Sequence, residues 1–344
     1  MPSKANLTKA ANINVTVREI DFVSRFAKNW EALRQIMGIM RPIRKTPGTK
    51  LTSYTASVTL QPGNVGEGEE IPYSLASVNP VAYGDIEIEK YSKAVSIEAV
   101  AKYGAANAIQ RTDDAFLNEL QNNVLTRFYT FLKTGTLIFA ESTYQMALAM
   151  AKAKVLDKFQ KMRRNVTEVV GFVNILDMYE YIGAANITVQ TQFGLNYIKD
   201  FLGYSTLFLL SAPDIPRGKV VALPVENIDL YYIDPSDSDF AQLGLEYRVQ
   251  GETNLIGFHA NGNYTTAVGE SFALMGMTLW AEYLDGISVV DLGTEAYTAV
   301  VSPAKANIGT YFEKAADNTY FKTLDTDVVN GKTYYTRAVT PPSA

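Results

Sequence analysis

Two alternating strand patterns, held apart by a stretch rich in glycine, proline and carboxylates, constrain this chain more than any other feature. Leu51-Thr-Ser-Tyr54-Thr-Ala56-Ser-Val58-Thr-Leu60 alternates apolar and polar residues as a half-buried strand must, and Asp85-Ile86-Glu-Ile88-Glu-Lys90 does so again. Between them, Gln61-Pro-Gly63-Asn-Val-Gly66-Glu67-Gly68-Glu69-Glu70-Ile71-Pro72 blocks regular structure with glycine and proline and keeps its tip in water with three carboxylates. Two strands with a long tip make an arm rather than a core. An isolated two-stranded hairpin is marginal in water, so the arm needs a partner surface, either on its own domain or on another copy of the chain.

At 344 residues, 47% hydrophobic and 19% charged, the chain is globular and long enough for two or three compact units. No apolar run approaches the length of a bilayer span, and the N-terminal lysines precede no apolar secretion signal, so the sequence predicts synthesis in a cytoplasm and no membrane partner. Cysteine is absent, which removes disulfides, thiolate metal sites and cysteine nucleophiles. The single histidine, His259, leaves little room for imidazole chemistry and sits in a strand-to-turn context that predicts a structural role. No phosphate-binding loop, dinucleotide fingerprint or zinc-protease motif occurs. Asp234-Pro-Ser-Asp237-Ser-Asp239 has carboxylates spaced for calcium but lacks the terminal glutamate of an EF-hand, and is read as an acidic surface loop. The sequence therefore predicts no catalytic residue, cofactor or metal, and no enzyme.

Charge is unevenly placed. The first 50 residues hold ten basic residues against three acids, while the whole chain carries a net charge of −5. A basic arm on an acidic body can bind nucleic acid or strap one subunit across its neighbour, and the acidic body favours the strap. Within the arm, Asp21 can cap a helix whose Phe22, Phe26, Trp30, Leu33 and Met37 recur at helical spacing, with Gly38 at the stop. That stripe packs on its own body or on an adjacent subunit, and the pattern does not separate the two.

Beyond the hairpin, Thr112 reads as the cap of a long helix with Asp113 and Asp114 in its first turn and Phe116, Leu120, Val124 and Phe128 along one stripe, closed by Lys133 and Gly135. A second helix opens with a capping box, Ser142-x-x-Gln145, and carries a basic side (Lys152, Lys154, Lys158, Lys161, Arg163, Arg164) read as a solvated face. From Thr167 short strands alternate with helices: Glu168–Val173, a helix capped by Asn174, Thr206–Leu210, Lys219–Leu223 and Leu245–Gln250. After Leu292 come three aromatic doublets, Tyr311-Phe312, Tyr320-Phe321 and Tyr334-Tyr335, with a hairpin signal at Asn330-Gly331.

In this order of parts the chain resembles the major capsid proteins of tailed bacteriophages, the Hong Kong 97 fold, over residues 18–292. The stretches that carry the resemblance are Gly66-Glu67-Gly68-Glu69-Glu70-Ile71-Pro72, Lys93-Ala-Val-Ser-Ile-Glu98, Pro213-x-x-Pro216-x-Gly218-x-Val220 with Asn227-Ile-Asp-Leu, and Thr278-Leu-Trp-Ala-Glu282-Tyr-Leu-Asp285-Gly286-Ile287. The resemblance implies an α+β chain made of an N-terminal arm (1–46), an E-loop hairpin (47–95) and a peripheral domain (96–166) whose spine helix covers 112–134. It further implies an axial domain (167–276) that can return to the peripheral domain, a closing strand (277–295) and, outside the family pattern, an accessory C-terminal β module (296–344).

The function implied is self-assembly, as pentamers and hexamers, into an icosahedral head shell around double-stranded DNA, with nonspecific proximity to the genome. Inter-subunit contacts are expected from the E-loop tip at Gly63, Glu67, Glu69, Glu70 and Pro72 and from the arm at Trp30, Arg41, Arg44 and Lys45. A separate scaffolding protein, a portal and decoration proteins are expected partners. No isopeptide partner is readable for Lys50, Lys90 or Lys93, so assembly is expected to be noncovalent. The rival expectations are an encapsulin-type compartment and a soluble α/β enzyme.

Overall fold

A computed structural model describes residues 38–68, 70–183, 190–192, 195–242, 244–249, 254–301, 303–304, 307, 309–323 and 331–342. The architecture is α+β, in two compact units. The described part of the first comprises residues 43–94 and 231–278, and that of the second comprises 38–42, 95–230 and 279–342.

The first unit is built on a sheet ordered β1-β11-β14-β13-β12, with β4 also pairing with β14. Its strands are β1 (Met40–Lys45), β4 (Ile88–Ser96), β11 (Ile228–Ile233), β12 (Arg248–Val249), β13 (Ile256–Asn263) and β14 (Val268–Ala281). β13 and β14 run antiparallel over eight registered pairs, from Ile256↔Met275 to Asn263↔Val268. His259 lies opposite Phe272, its ring 6.2 Å from Phe272 and 6.4 Å from Tyr247, a side chain built into an aromatic row. The strand expected over Leu245–Gln250 is shorter than its pattern suggests, with only Arg248 and Val249 pairing.

From this unit β2 (Leu51–Thr59) and β3 (Leu75–Gly84) extend as an antiparallel ribbon. The returning strand is therefore Leu75–Gly84 and not Asp85–Lys90, whose second half instead enters β4 and pairs with β14. Pro80 hid β3 from pattern reading, because proline cannot donate to a ladder and argues against a central strand. A two-stranded ribbon has only edge strands, so proline is tolerated opposite Tyr54.

The second unit is layered. Its seven-stranded sheet runs β5-β15-β10-β6-β9-β8-β7. The strands are β5 (Leu137–Glu141), β6 (Val169–Asn174), β7 (Gln190–Gln192), β8 (Leu195–Phe201), β9 (Tyr204–Leu210), β10 (Lys219–Pro224) and β15 (Ser288–Leu292). Four helices accompany it: α1 (Ile97–Tyr103), α2 (Arg111–Leu132), α3 (Tyr144–Lys161) and α4 (Ile175–Ile182).

On one face, α3 presents Ala147, Leu148, Ala151, Val155 and Phe159 to Val169, Val173, Leu207, Leu209, Val220, Ala222 and Val290, with Met178 and Ile182 of α4 joining them. Spacings of three and four residues place the five α3 side chains on one stripe, and alternation places the strand residues on one face. On the other face, α2 sets Phe128 and Tyr129 against Phe172, with ring centroids 5.7 and 6.3 Å apart. Fully burying one such side chain contributes about 1.5–3 kcal/mol, so this double-sided core dominates the unit's stability.

The helix starts differ from expectation. Thr112 does not cap α2: a π-helical turn at Ala106–Gln110 runs into the helix, and the Thr112 hydroxyl donates back to the carbonyls of Ala108 and Ile109. A hydroxyl already inside helical backbone has no free amide ahead of it to accept from, so it bonds the preceding turn. α3 is capped by Thr143, which accepts from the Met146 amide, one residue beyond the Ser142 expected. Asn174 caps α4 by accepting from Leu176, and its amide also donates to the Ile215 carbonyl at 2.7 Å.

Residues after Leu292 form a four-stranded sheet ordered β16-β19-β17-β18, with β16 (Thr294–Val300), β17 (Phe312–Lys314), β18 (Tyr320–Lys322) and β19 (Tyr334–Thr340). The aromatic doublets do converge, and Tyr297 joins them. Tyr297 stacks on Tyr320 with centroids 3.7 Å apart, Phe312 meets Tyr297 at 5.6 Å, and Tyr320 meets Tyr335 at 5.1 Å.

The Asn330-Gly331 hairpin is not formed between its flanking strands. Asn330 lies outside the described residues, and β17 separates β18 from β19. The tight hairpin joins β17 to β18 instead, where Ala315 and Thr319 close the loop and Asn318 adopts φ 67°. This module packs against β5, the edge strand of the seven-stranded sheet, and Gly293 donates its amide to the Glu141 carbonyl there. Arg337, its side chain only 6% exposed, ties the module to the sheet through Asp291 of β15 at 2.7 Å while holding Glu295 of β16 at 2.9 Å.

Candidate assembly surface

The β2–β3 ribbon carries nine registered pairs, from Leu51↔Gly84 to Thr59↔Leu75. At about 3.3 Å per residue it reaches roughly 30 Å. Apolar positions oppose apolar positions along it: Ala56 faces Val78 and Val58 faces Ala76 in register. Its root is fixed in the first unit by Leu51 and Ile86 packing on Ile233, with Tyr231 and Phe240 against them. A bulge between Leu51 and Thr52, where the register skips Tyr83, bends the ribbon as it leaves this root. Among the described residues, β2 and β3 pair only with each other.

The tip reveals what the acidic composition concealed. Gln61 donates its amide to the Ser74 hydroxyl at 3.2 Å, closing the neck of a loop that turns at Glu67-Gly68, where Gly68 adopts φ 84°. Flanking that turn, Tyr73 is 92% exposed, Leu60 79%, Leu75 70% and Ile71 69%, with Val58 and Val78 also exposed. Scattered surface apolar residues are ordinary, but six exposed apolar residues on one ribbon and its tip are more than scatter, and they mark a candidate interaction surface. Of the expected tip residues, Gly63, Glu67, Glu70 and Pro72 are solvent-exposed in this loop, and Glu69 lies outside the described residues. The missed signal was the interleaving of Leu60, Ile71, Tyr73 and Leu75 with the glycines and carboxylates.

Trp30 lies outside the described residues. Of the other arm residues, Arg41 and Arg44 meet acids of their own chain and Lys45 an aromatic ring. In the second unit, Arg41 donates to the buried Asp229 at 2.8 Å and to Glu282 at 3.0 Å, and Glu282 also receives Arg164 at 3.1 Å. The hydrogen bond that Arg41 donates to Asp229, opposed by burial and helped by the charges of both carboxylates, holds the guanidinium above its ordinary pKa. In the first unit, Arg44 lies 3.4 Å from Asp234 and 3.2 Å from Asp237, and Lys45 sits 5.1 Å above the Tyr231 ring.

Replacing Arg41 with methionine leaves Asp229 buried without its cation and is expected to lower stability by about 1–3 kcal/mol. A fall in the chemical denaturation midpoint at unchanged slope is the expected result. An unchanged midpoint overturns the assignment of Arg41 as the stabilising partner of Asp229.

The acidic loop acts within its own unit. Burial pushes Asp234 up, but the Ser236 hydroxyl and amide, the Asn254 amide and Arg44 outweigh it, so Asp234 stays below the usual carboxylate range. Asp237 caps the short helix α5 (Ser238–Ala241). Among the described residues, no group of three or more His, Cys, Asp or Glu is placed to hold a metal ion.

The basic side of α3 is largely engaged as well. Lys158 pairs with Asp285, Lys161 with Asp157, and Lys154 lies over the Phe139 ring at 3.8 Å. No described helix is long and apolar enough to cross a membrane.

No family model and no curated protein matches the chain in sequence. Solved structures do resemble it in outline. The capsid of the cyanophage P-SCSP1u covers 75% of this chain and 88% of its own at 6% identity, with a TM-score of 0.49. A virus-like particle from Pyrococcus furiosus covers 80% and 99% at 8% identity and 0.45. The holo-SrpI encapsulin complex from Synechococcus elongatus covers 75% and 86% at 13% identity and 0.46. All three scores fall below one half, and the functional reading rests on the chain's own ribbon and order of parts.

Proposed function

We propose that this chain is the major shell subunit of an icosahedral capsid, the head of a tailed phage, and that it works by self-association without catalysis. The observation that carries the reading is the ribbon: two strands paired only with each other among the described residues, rooted in a packed core and ending in an exposed apolar tip. An isolated ribbon is marginal in water, and an apolar tip in solvent favours association, so both are stabilised by a neighbouring surface. A second copy supplies that surface in every direction of a closed shell, because each subunit offers the same patch and the same acceptor. At the E-loop tip the exposed Glu67 and Glu70, with Gly63 and Pro72 beside them, then form the rim around the apolar residues.

The order of ribbon, long helix α2 and layered sheet supports a capsid over a generic oligomer. Pentamers and hexamers, a portal, scaffolding and decoration proteins, and packaged duplex DNA held without sequence-specific contact belong to the same reading. Arg41, Arg44 and Lys45 anchor the root of the arm, the arginines on acids and the lysine on the Tyr231 ring.

Sizing and electron microscopy of purified native material, with nucleic acid and protein content measured, tests this. Hollow or DNA-filled icosahedral shells are expected. A monomer at high concentration would falsify the proposal, and shells loaded with an enzyme instead of DNA would reassign it to a compartment.

A further inference from the structure

On the face of the seven-stranded sheet that α2 covers, Phe172 stacks on Phe208 with centroids 5.1 Å apart. Two residues back along β6 the same face continues as the registered row Val170, Thr206 and Lys199. There a groove of about 280 Å³ opens, with Ile39, Val170, Tyr197 and Phe208 as its apolar walls and Glu168 and Lys199 among its polar ones. Gly38 also lines it, and the Ile39 carbonyl accepts the Glu226 amide at 2.8 Å. The chain therefore enters the described structure at the wall of the groove, at a fixed point.

Immediately ahead of Gly38 stands the sequence stripe Phe22, Phe26, Trp30, Leu33 and Met37, which requires a cover. We propose that residues 22–37 dock on this groove of their own chain, with Met37, Leu33 and Trp30 facing it. Met37 adjoins a lining residue, and at helical rise Leu33 and Trp30 follow at about 6 and 10 Å, within reach of the groove without any added linker. Such tethering gives an effective concentration that a groove on another copy has to exceed. The charges match in kind: Glu31 and Arg34, three residues apart on one side of a helix, bring one acid and one base to a groove that offers Lys199 and Glu168. The segment is then part of the subunit, and only residues before it are left to cross to a neighbour.

Tryptophan reports directly, because the chain has only Trp30 and Trp280. In the full-length Trp280→Phe variant, held dilute and unassembled, Trp30 is expected to emit at short wavelength and to resist acrylamide quenching, independently of protein concentration. Thr206→Arg, which fills the groove, is expected to raise the quenching constant several-fold. Should that variant fold poorly, Glu168→Lys at the exposed rim is expected to do the same and Arg34→Glu added to it to restore protection. Freely quenched Trp30 in the dilute chain, or quenching unmoved by the groove variants, overturns the proposal. Protection that appears only on association also overturns it and assigns the segment to an adjacent copy, while leaving the capsid reading intact.

Discussion

Serine at Leu60, Ile71, Tyr73 and Leu75 together is expected to give a soluble, folded subunit that no longer assembles. These side chains are solvent-exposed in the subunit, so their loss changes its own stability by no more than about 0.5 kcal/mol each. In an assembled interface the same residues are desolvated, and an aromatic anchor such as Tyr73 contributes about 2 kcal/mol when truncated. Since 1.4 kcal/mol is about tenfold, Tyr73→Ala alone is expected to raise the concentration needed for assembly by roughly 30-fold. Shortening the loop between Gly63 and Pro72 acts through the same contacts. Light scattering and sizing across a concentration series read the effect, with circular dichroism confirming the fold. Normal shells at normal concentration from the fourfold variant would remove the ribbon as the assembly element.

Cutting the chain after Leu292 is expected to leave a folded subunit of lower stability. Every strand of the seven-stranded sheet and all four helices around it precede the cut, so the double-sided core survives. What is lost is the cover on β5, an edge strand, together with the guanidinium that joins Asp291 to Glu295. Exposed edges template pairing with other chains, so the truncated protein should aggregate on mild warming.

The single change Arg337→Met isolates the tie. Arg337 is held above its ordinary pKa because the hydrogen bonds and charges of Asp291 and Glu295 outweigh the burial that opposes them. Removing a buried partner costs about 3–5 kcal/mol when both sides are buried, and about 2–3 kcal/mol here because the carboxylates are partly solvated. At about 2–4 °C per kcal/mol, the melting temperature should fall by roughly 5–10 °C. Limited proteolysis should then release the module from the variant faster than from the parent chain. Identical melting and proteolysis would mean that aromatic packing alone holds the module.

The sequence on its own determined the periodic elements. α2 and α3 were legible because their stripes recur over many turns, and Asn174 was legible as a cap because an amide ahead of an apolar run has one local use. The projecting arm was legible from glycine, proline and alternation, and the absence of cysteine with a single histidine removed whole classes of chemistry.

Pairing was decided only in three dimensions. β3 replaced Asp85–Lys90 as the returning strand because proline is penalised only where a ladder needs its amide, and a ribbon edge does not. Asn330-Gly331 failed to mark a hairpin between β18 and β19 because β17 inserts between them, a long-range choice that local turn chemistry cannot encode. The acids that meet Arg41 and Arg44 within the chain, Asp229, Asp234, Asp237 and Glu282, lie from nearly 190 to about 240 residues away in sequence, beyond the reach of any local pattern. Charge along a chain is a local property, but its partners are set by where the backbone returns. The same holds for the tip: whether Leu60 and Tyr73 are core or surface depends on what packs over them, and the ribbon carries them clear of any core in their own unit.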